Sequence, residues 1–161
     1  MLVCLNVNGK DYTVDVEPDE KLLDTLRERL HITSVKRGCE NGDCGACTVL
    51  MNGYPVDSCI FLTLKARGQK VQTIEAFGQP GALHPIQEKL KEHGAFQCGF
   101  CAPGAVLSLI SLLDHTPTPK EDEIRRAISG NLCRCSGYVQ IVDAVKDYLA
   151  ERKGGSANEK S

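Results

Sequence analysis

Four cysteines between residues 39 and 59 constrain this chain more than any other feature. They follow the spacing C-x4-C-x2-C-x11-C as Cys39, Cys44, Cys47 and Cys59. The first three lie in GCENGDCGAC, among Gly38, Gly42 and Gly45, and the fourth ends the triplet Asp57-Ser58-Cys59. A loop that gathers three thiols within nine residues has to turn sharply and bring its backbone close to whatever the sulfurs hold. Glycine permits both, because it has no Cβ to clash and tolerates positive φ. The fold must then return a fourth cysteine to the same loop after a strand, a turn and a second strand.

The chain has 161 residues and nine cysteines. A secreted disulfide scaffold calls for an even count and an export signal. Residues 1–8 lack a basic segment followed by an apolar one, so no export signal and a cytoplasmic location are expected. In a reducing compartment, ligation is the better use for so many thiols. The spacing of Cys39, Cys44, Cys47 and Cys59 is that of the plant-type [2Fe–2S] site, and the four are read as its ligands. A second group follows as Cys98-x2-Cys101 and Cys133-x-Cys135. On spacing alone this second group suits a four-cysteine zinc site or an iron–sulfur site. A thioredoxin-like redox pair is weaker, since no βαβ pattern surrounds it. Cys4 stands apart from both groups and is read as a half-buried thiol.

Composition excludes other classes. Residues 1–76 carry 9 Lys and Arg against 11 Asp and Glu, and residues 77–161 carry 10 of each, so no basic face exists to neutralise phosphates. Four Tyr and four Phe leave little for base stacking, and nucleic-acid binding is not expected. No apolar run approaches a membrane span.

Hydrophobic periodicity divides the chain into two halves. Val3, Leu5 and Val7, then Asn8-Gly9, then Tyr12, Val14 and Val16 predict a β-hairpin. Leu22, Leu23, Leu26 and Leu30 predict a helix with Asp19 as its N-cap, and His31 is read as a solvated residue at its end. Residues 48–51 and 54–56 around Asn52-Gly53 predict a second hairpin, and Val71–Ile74 a last strand. After the Gly- and Pro-rich stretch 77–84 the period changes to that of helices. Four are predicted: 85–93, with Gly94 ending it; 103–115, apolar nearly all round; one opened by a capping box at Thr118-Pro119-Lys120-Glu121; and one burying Ile141, Val142, Val145, Tyr148 and Leu149. The fold class is therefore α+β. A β-grasp, ferredoxin-like domain (1–76) and a linker (77–84) precede a four-helix-bundle domain (85–152) and a disordered tail (153–161).

The sequence of motifs GCENGDCGACTV, DSC, QCGFCAPG and GNLCRCSGY resembles the iron–sulfur small subunit of the molybdenum hydroxylase, or xanthine oxidase, family. The likeness spans residues 1–150 and includes all eight grouped cysteines. It implies a [2Fe–2S] cluster in each half, and so turns the open second group toward iron and sulfur. It also implies that electrons reach Cys98, Cys101, Cys133 and Cys135 from a molybdenum–pterin cofactor in a large subunit. They leave from Cys39, Cys44, Cys47 and Cys59 to FAD in a medium subunit. By the same resemblance Gln97 would hydrogen-bond the pterin and Cys135 would lie nearest its amino group. This chain would have no catalytic residue of its own and would sit in a heterotrimer or a dimer of heterotrimers. Ala102, Ala105 and Ser136 depart from residues usual in such subunits; none of them is a ligand. A purine dehydrogenase is the preferred enzyme, with aldehyde, N-heterocycle, CO and aromatic acyl-CoA enzymes as alternatives. A free-standing two-cluster ferredoxin and a zinc-stabilised interaction module are the rivals from other classes.

Overall fold

Alternation places the first strand. A computed structural model describes residues 1–157 of the chain. β1 (Leu2–Val7) turns Val3, Leu5 and Val7 inward and Cys4 outward. Cys4 is exposed rather than half-buried, because nothing packs over the outer face of β1 at that position. β2 (Lys10–Asp15) pairs antiparallel with β1 across Asn8-Gly9, whose φ angles of 52° and 78° are those of a tight hairpin turn. β3 (Thr48–Met51) and β4 (Tyr54–Asp57) repeat this across Asn52-Gly53. β5 (Lys70–Gln72) lies between the hairpins, parallel to β1 and antiparallel to β3, giving a sheet ordered β2-β1-β5-β3-β4. The expected strand thus stops before Ile74, which opens a short 3-10 turn, Ile74–Ala76.

The helix expected from Asp19 begins later. α1 (Leu22–Asp24) has Lys21 in the N-cap position without a side-chain bond, and it passes into a wider π-helical turn, Thr25–Arg29. Glu20 takes the organising role given to Asp19. Its carboxylate accepts Thr25 Oγ1 at 2.7 Å, Arg29 Nε at 2.8 Å and Arg29 Nη2 at 2.6 Å, gripping the π turn from outside. Leu22, Leu23 and Leu26 are at most 1% exposed and pack with Val3, Leu5, Val49 and Val71 in a first core. His31 is exposed, as expected.

A second core belongs to the helices. α2 (Pro85–Glu92) is capped by His84, whose N–H reaches Gln87 Oε1 at 2.8 Å, and Gly94 follows it at a φ of 57°. α3 (Ala102–His115) is buried over most of its circumference. α4 (Glu121–Ile128) opens two residues later than the Thr118 box implies: Lys120 is the N-cap, and its N–H donates to Glu123 Oε2 at 2.7 Å. Glu121 instead binds Arg125 and Lys146. α5 (Tyr138–Ala157) continues five residues into the tail expected to be disordered; 158–161 lie outside the described residues. Its approach to the tail is held by Lys89 to Glu151 at 2.6 Å and by Arg152 over the Tyr148 ring, and extending a formed helix costs little per residue.

In this half α2 touches α5 and α3, and α4 touches α3 and α5. α3 also lies on β3 and β4. The period of two along β3 explains how one strand serves both halves: Val49 enters the first core and Leu50 the second. Ile74 and Phe77 already pack against the helices.

The Glu20 grip yields a test. Arg29's hydrogen bonds, opposed by burial and helped by Thr25, hold the Glu20 carboxyl at about 2. A carboxyl depressed in the folded state stabilises the fold above its unfolded value, near ~4.3, and ceases to as pH falls toward its folded one. Arg29 is 41% exposed, so solvent screens part of the gain. Glu20→Gln should cost about 1–2 kcal/mol at neutral pH, with the gap from the parent closing as pH falls below about 4. Urea unfolding of the iron-free chain across that range measures it.

Candidate metal centres

The structure gathers the eight grouped cysteines into two sites, each made of two pairs. In the first, Cys39 and Cys44 sit together near the surface, and Cys47 and Cys59 sit together inside at 2% and 5% exposure. In the second, Cys98 and Cys135 have their sulfurs 3.6 Å apart and face outward, while Cys101 pairs with Cys133 further in. All are free thiols.

Local backbone explains the outer pair of the first site. The loop turns through Glu40, Gly42 and Gly45, all at positive φ, and so points its amides at sulfur. Asp43 N–H and Cys44 N–H reach Cys39 Sγ at 3.3 Å each, Cys39 N–H reaches Cys44 Sγ at 3.4 Å, and Ala46 N–H reaches it at 3.5 Å. Arg37 fixes the loop from outside by pairing with Asp24 at 2.7 Å and Glu40 at 2.9 Å. The second site uses the start of α3, where Cys101 is the N-cap residue, and the 133–137 turn, where Tyr138 Oη accepts Cys133 N–H at 2.6 Å. Helix N-termini offer unpaired N–H groups and the positive dipole end, which suit thiolates.

These surroundings act on the thiols in opposite directions. N–H groups of Asn41 and Cys44 bring Cys39 down to about 6 against the effect of burial. The Phe100 N–H lowers Cys98. At Cys133 burial opposes ionisation, but N–H groups from Gly137, Cys135 and Ser136 outweigh it and the thiol is lowered. Burial, with Cys47 adjacent, pushes Cys59 up to about 12, and burial with Cys133 adjacent does the same to Cys101. The backbone thus favours the thiolate at Cys39, Cys98 and Cys133. Cys59 and Cys101 need a cation beside them.

The donor sets fit a two-iron centre better than a single ion. Among the described residues no three Cys, His, Asp or Glu side chains converge as one metal ion requires. Four thiols in two pairs match a [2Fe–2S] core, in which each iron takes two cysteines. A thioredoxin-like pair is also excluded by partnership, since Cys98 meets Cys135 and Cys101 meets Cys133 rather than each other. Gln97 is exposed, with Nε2 3.5 Å from the Cys135 carbonyl, which puts its amide beside the outer pair of the second site.

One element escaped the sequence reading. Asn131, only 4% exposed, lies between the two sites: Nδ2 donates to Gly45 O at 3.0 Å and to Thr48 Oγ1 at 3.2 Å, and Oδ1 accepts from Ser108 Oγ at 2.8 Å. Its only trace in the sequence is an amide two residues before a cysteine pair, and a glycine, Gly104, in the first turn of α3.

Comparison with known proteins agrees with this division. A family described as the 2Fe-2S iron-sulfur cluster binding domain matches residues 5–71, and one described as the [2Fe-2S] binding domain matches residues 73–146. The chain is 47% identical over 148 residues to the nicotinate dehydrogenase small FeS subunit of Eubacterium barkeri, spanning 92% of this chain and 94% of that one. Its fold is similar to quinoline 2-oxidoreductase from Pseudomonas putida 86, with a TM-score of 0.88 and 43% identity over 96% of this chain and 97% of that chain. It is also similar to aldehyde oxidoreductase from Desulfovibrio desulfuricans ATCC 27774, with a TM-score of 0.89 and 43% identity, over 95% of this chain but 17% of that one.

Because the two sites share no ligand, they should fail separately. Cys47→Ser should remove about half of the bound iron and one of two reduced-cluster EPR signals, leaving the signal of the second site. Two signals at parental intensity would overturn the ligand assignment.

Proposed function

Because the chain belongs to the two-cluster iron–sulfur subunits of the molybdenum hydroxylase family, we propose that it is the electron-relay subunit of an N-heterocycle-oxidising enzyme. The observation that carries the relay role is the pair of four-thiol sites, built into two halves that share β3. Each [2Fe–2S] cluster, when bound, accepts and returns one electron at a time. The rest of the task falls to the protein. Cys39, Cys44, Cys47 and Cys59 hold the centre on the flavin side, and Cys98, Cys101, Cys133 and Cys135 hold the one on the molybdenum side. Backbone N–H groups directed at Cys39, Cys44 and Cys98 spread the excess negative charge and so set the potential, as burial of Cys47, Cys59 and Cys101 does in the opposite sense.

Each site presents an outer pair toward its partner. Phe100, Leu132 and Val139 in the helical half expose apolar side chains, which suits permanent docking on a large molybdenum–pterin subunit. Gln97, beside Cys135, carries an amide that both donates and accepts, as a pterin edge requires. At the first site the exposed Ile60 packs against Gly42 of the cysteine loop and suits a medium, FAD-binding subunit. This arrangement favours a heterotrimer, or a dimer of heterotrimers, over a free ferredoxin. The four helices, each touching two others, support reading residues 85–152 as a four-helix bundle. Among the described residues no helix is long and apolar enough to cross a membrane, and a cytoplasmic enzyme is proposed.

The purine preference drawn from sequence widens here to N-heterocycles, the class named in the nicotinate and quinoline enzymes to which the chain is similar. An aldehyde substrate is the second reading, favoured by the likeness to the aldehyde oxidoreductase fold. Affinity purification of the tagged full chain from its host should recover two larger chains, one with molybdenum and one with flavin. It should oxidise nicotinate or quinoline with an artificial acceptor. A brown monomer without partners would favour the free ferredoxin, and a colourless zinc protein would overturn the relay role.

A further inference from the structure

The two halves meet by apolar packing almost everywhere, but between the two thiol sites they meet backbone to backbone. Gly45, in the first cysteine loop, sits so close to the second loop that a Cβ there would lie 2.2 Å from Gly130 O. A Cβ on Gly104, in α3, would lie 2.3 Å from Gly45 O. Only glycine permits this approach at either position. Into the contact the second loop sends Leu132 N–H, which donates to Cys44 O at 2.9 Å. Cys44 is a ligand of the first site, and Leu132 directly precedes Cys133, a ligand of the second.

Asn131 is the side chain that closes this contact. Its carboxamide is fully used: both N–H donors go to Gly45 O and Thr48 Oγ1, and its oxygen receives Ser108 Oγ. Thr48 Oγ1 in turn donates to Gly45 O at 2.7 Å, so the buried polar network leaves none of these atoms unpaired. Networks of this kind are rigid when complete and costly when broken. Ser111 adds one more bond across the halves, to Gly53 O at 2.7 Å, but far from the thiols. A hydrophobic residue could fill the space of Asn131; it could not hold three elements, the first loop, β3 and α3, in one register.

We propose that Asn131 is a positioning residue that fixes the separation and orientation of the two cysteine sites, and so the coupling between the clusters they hold. The proposal rests on the two-cluster reading above. It assigns to one buried amide a role that apolar packing of the domains does not supply. The Leu132 to Cys44 hydrogen bond, which Asn131 keeps formed, links a ligand of one site to the neighbour of a ligand of the other.

The test uses the full chain with both centres loaded and reduced, where magnetic interaction between the two splits their EPR signals. Asn131→Ala should keep parental iron content and both individual signals, yet lose the splitting. The Leu132 amide should exchange with deuterium at least about tenfold faster than in the parent. Ser108→Ala removes one bond of the network and should shift both readouts in the same direction by less. Parental splitting in Asn131→Ala, with parental exchange at Leu132, overturns the proposal. Should Asn131→Ala fail to hold iron, Ser108→Ala decides, and unchanged splitting and exchange there overturn it. A parent chain without two iron centres would count against the family reading instead. Exchange at Leu132 in the variants would then uphold or overturn the role of Asn131 by itself.

Discussion

Placing thiolates out of water is expensive, and this chain buries Cys47, Cys59 and Cys101 to 8% exposure or less. Burial, with a second cysteine adjacent, holds two of these thiols near 12, far from ionisation at neutral pH. Most of the fold around the sites answers that cost. Each buried thiol is paired with a second cysteine and backed by an outer pair, so that cationic iron can sit between them. The outer pair of the first site is prepared differently, by amides the loop turns toward sulfur. This is why the cysteine loop has to visit positive φ, and why Arg37 clamps it from the side.

The same constraint shapes the junction of the halves. A site with one side open to a partner needs rigid walls on the other, and the walls of the two sites are shared. β3 feeds alternate residues into two cores, α3 packs on β3 and β4, and the cysteine loop touches the 130–133 turn through glycine. The two centres therefore belong to one framework although two family descriptions divide the chain between them.

Local signals carried most of the fold into the sequence. Asn8-Gly9 and Asn52-Gly53 announce hairpins because two successive positive-φ residues are what such turns need. The leucine stripe and the apolar 102–115 run mark their helices through burial alone. What stayed hidden depended on distant partners. Glu20 displaced Asp19 because its carboxylate could reach Arg29, and the π turn that brings Arg29 there has no composition of its own. Lys120 displaced Thr118 because Glu123, rather than Glu121, faces back along α4. The two groups of four cysteines were legible because spacing within each short motif limits them. Their pairing was not, since Cys98 meets Cys135 across the folded chain rather than Cys101 beside it. Asn131 was invisible for the same reason: every group it binds by its side chain is at least 23 residues away.

The central claim is that each thiol quartet is two pairs holding two irons, not four ligands on one ion. X-ray absorption at the iron edge of the full chain tests this most directly. The account predicts about four irons per chain, a coordination shell of sulfur alone and a short iron–iron vector. Zinc in place of iron, or iron with a four-sulfur shell and no iron–iron vector, would contradict it.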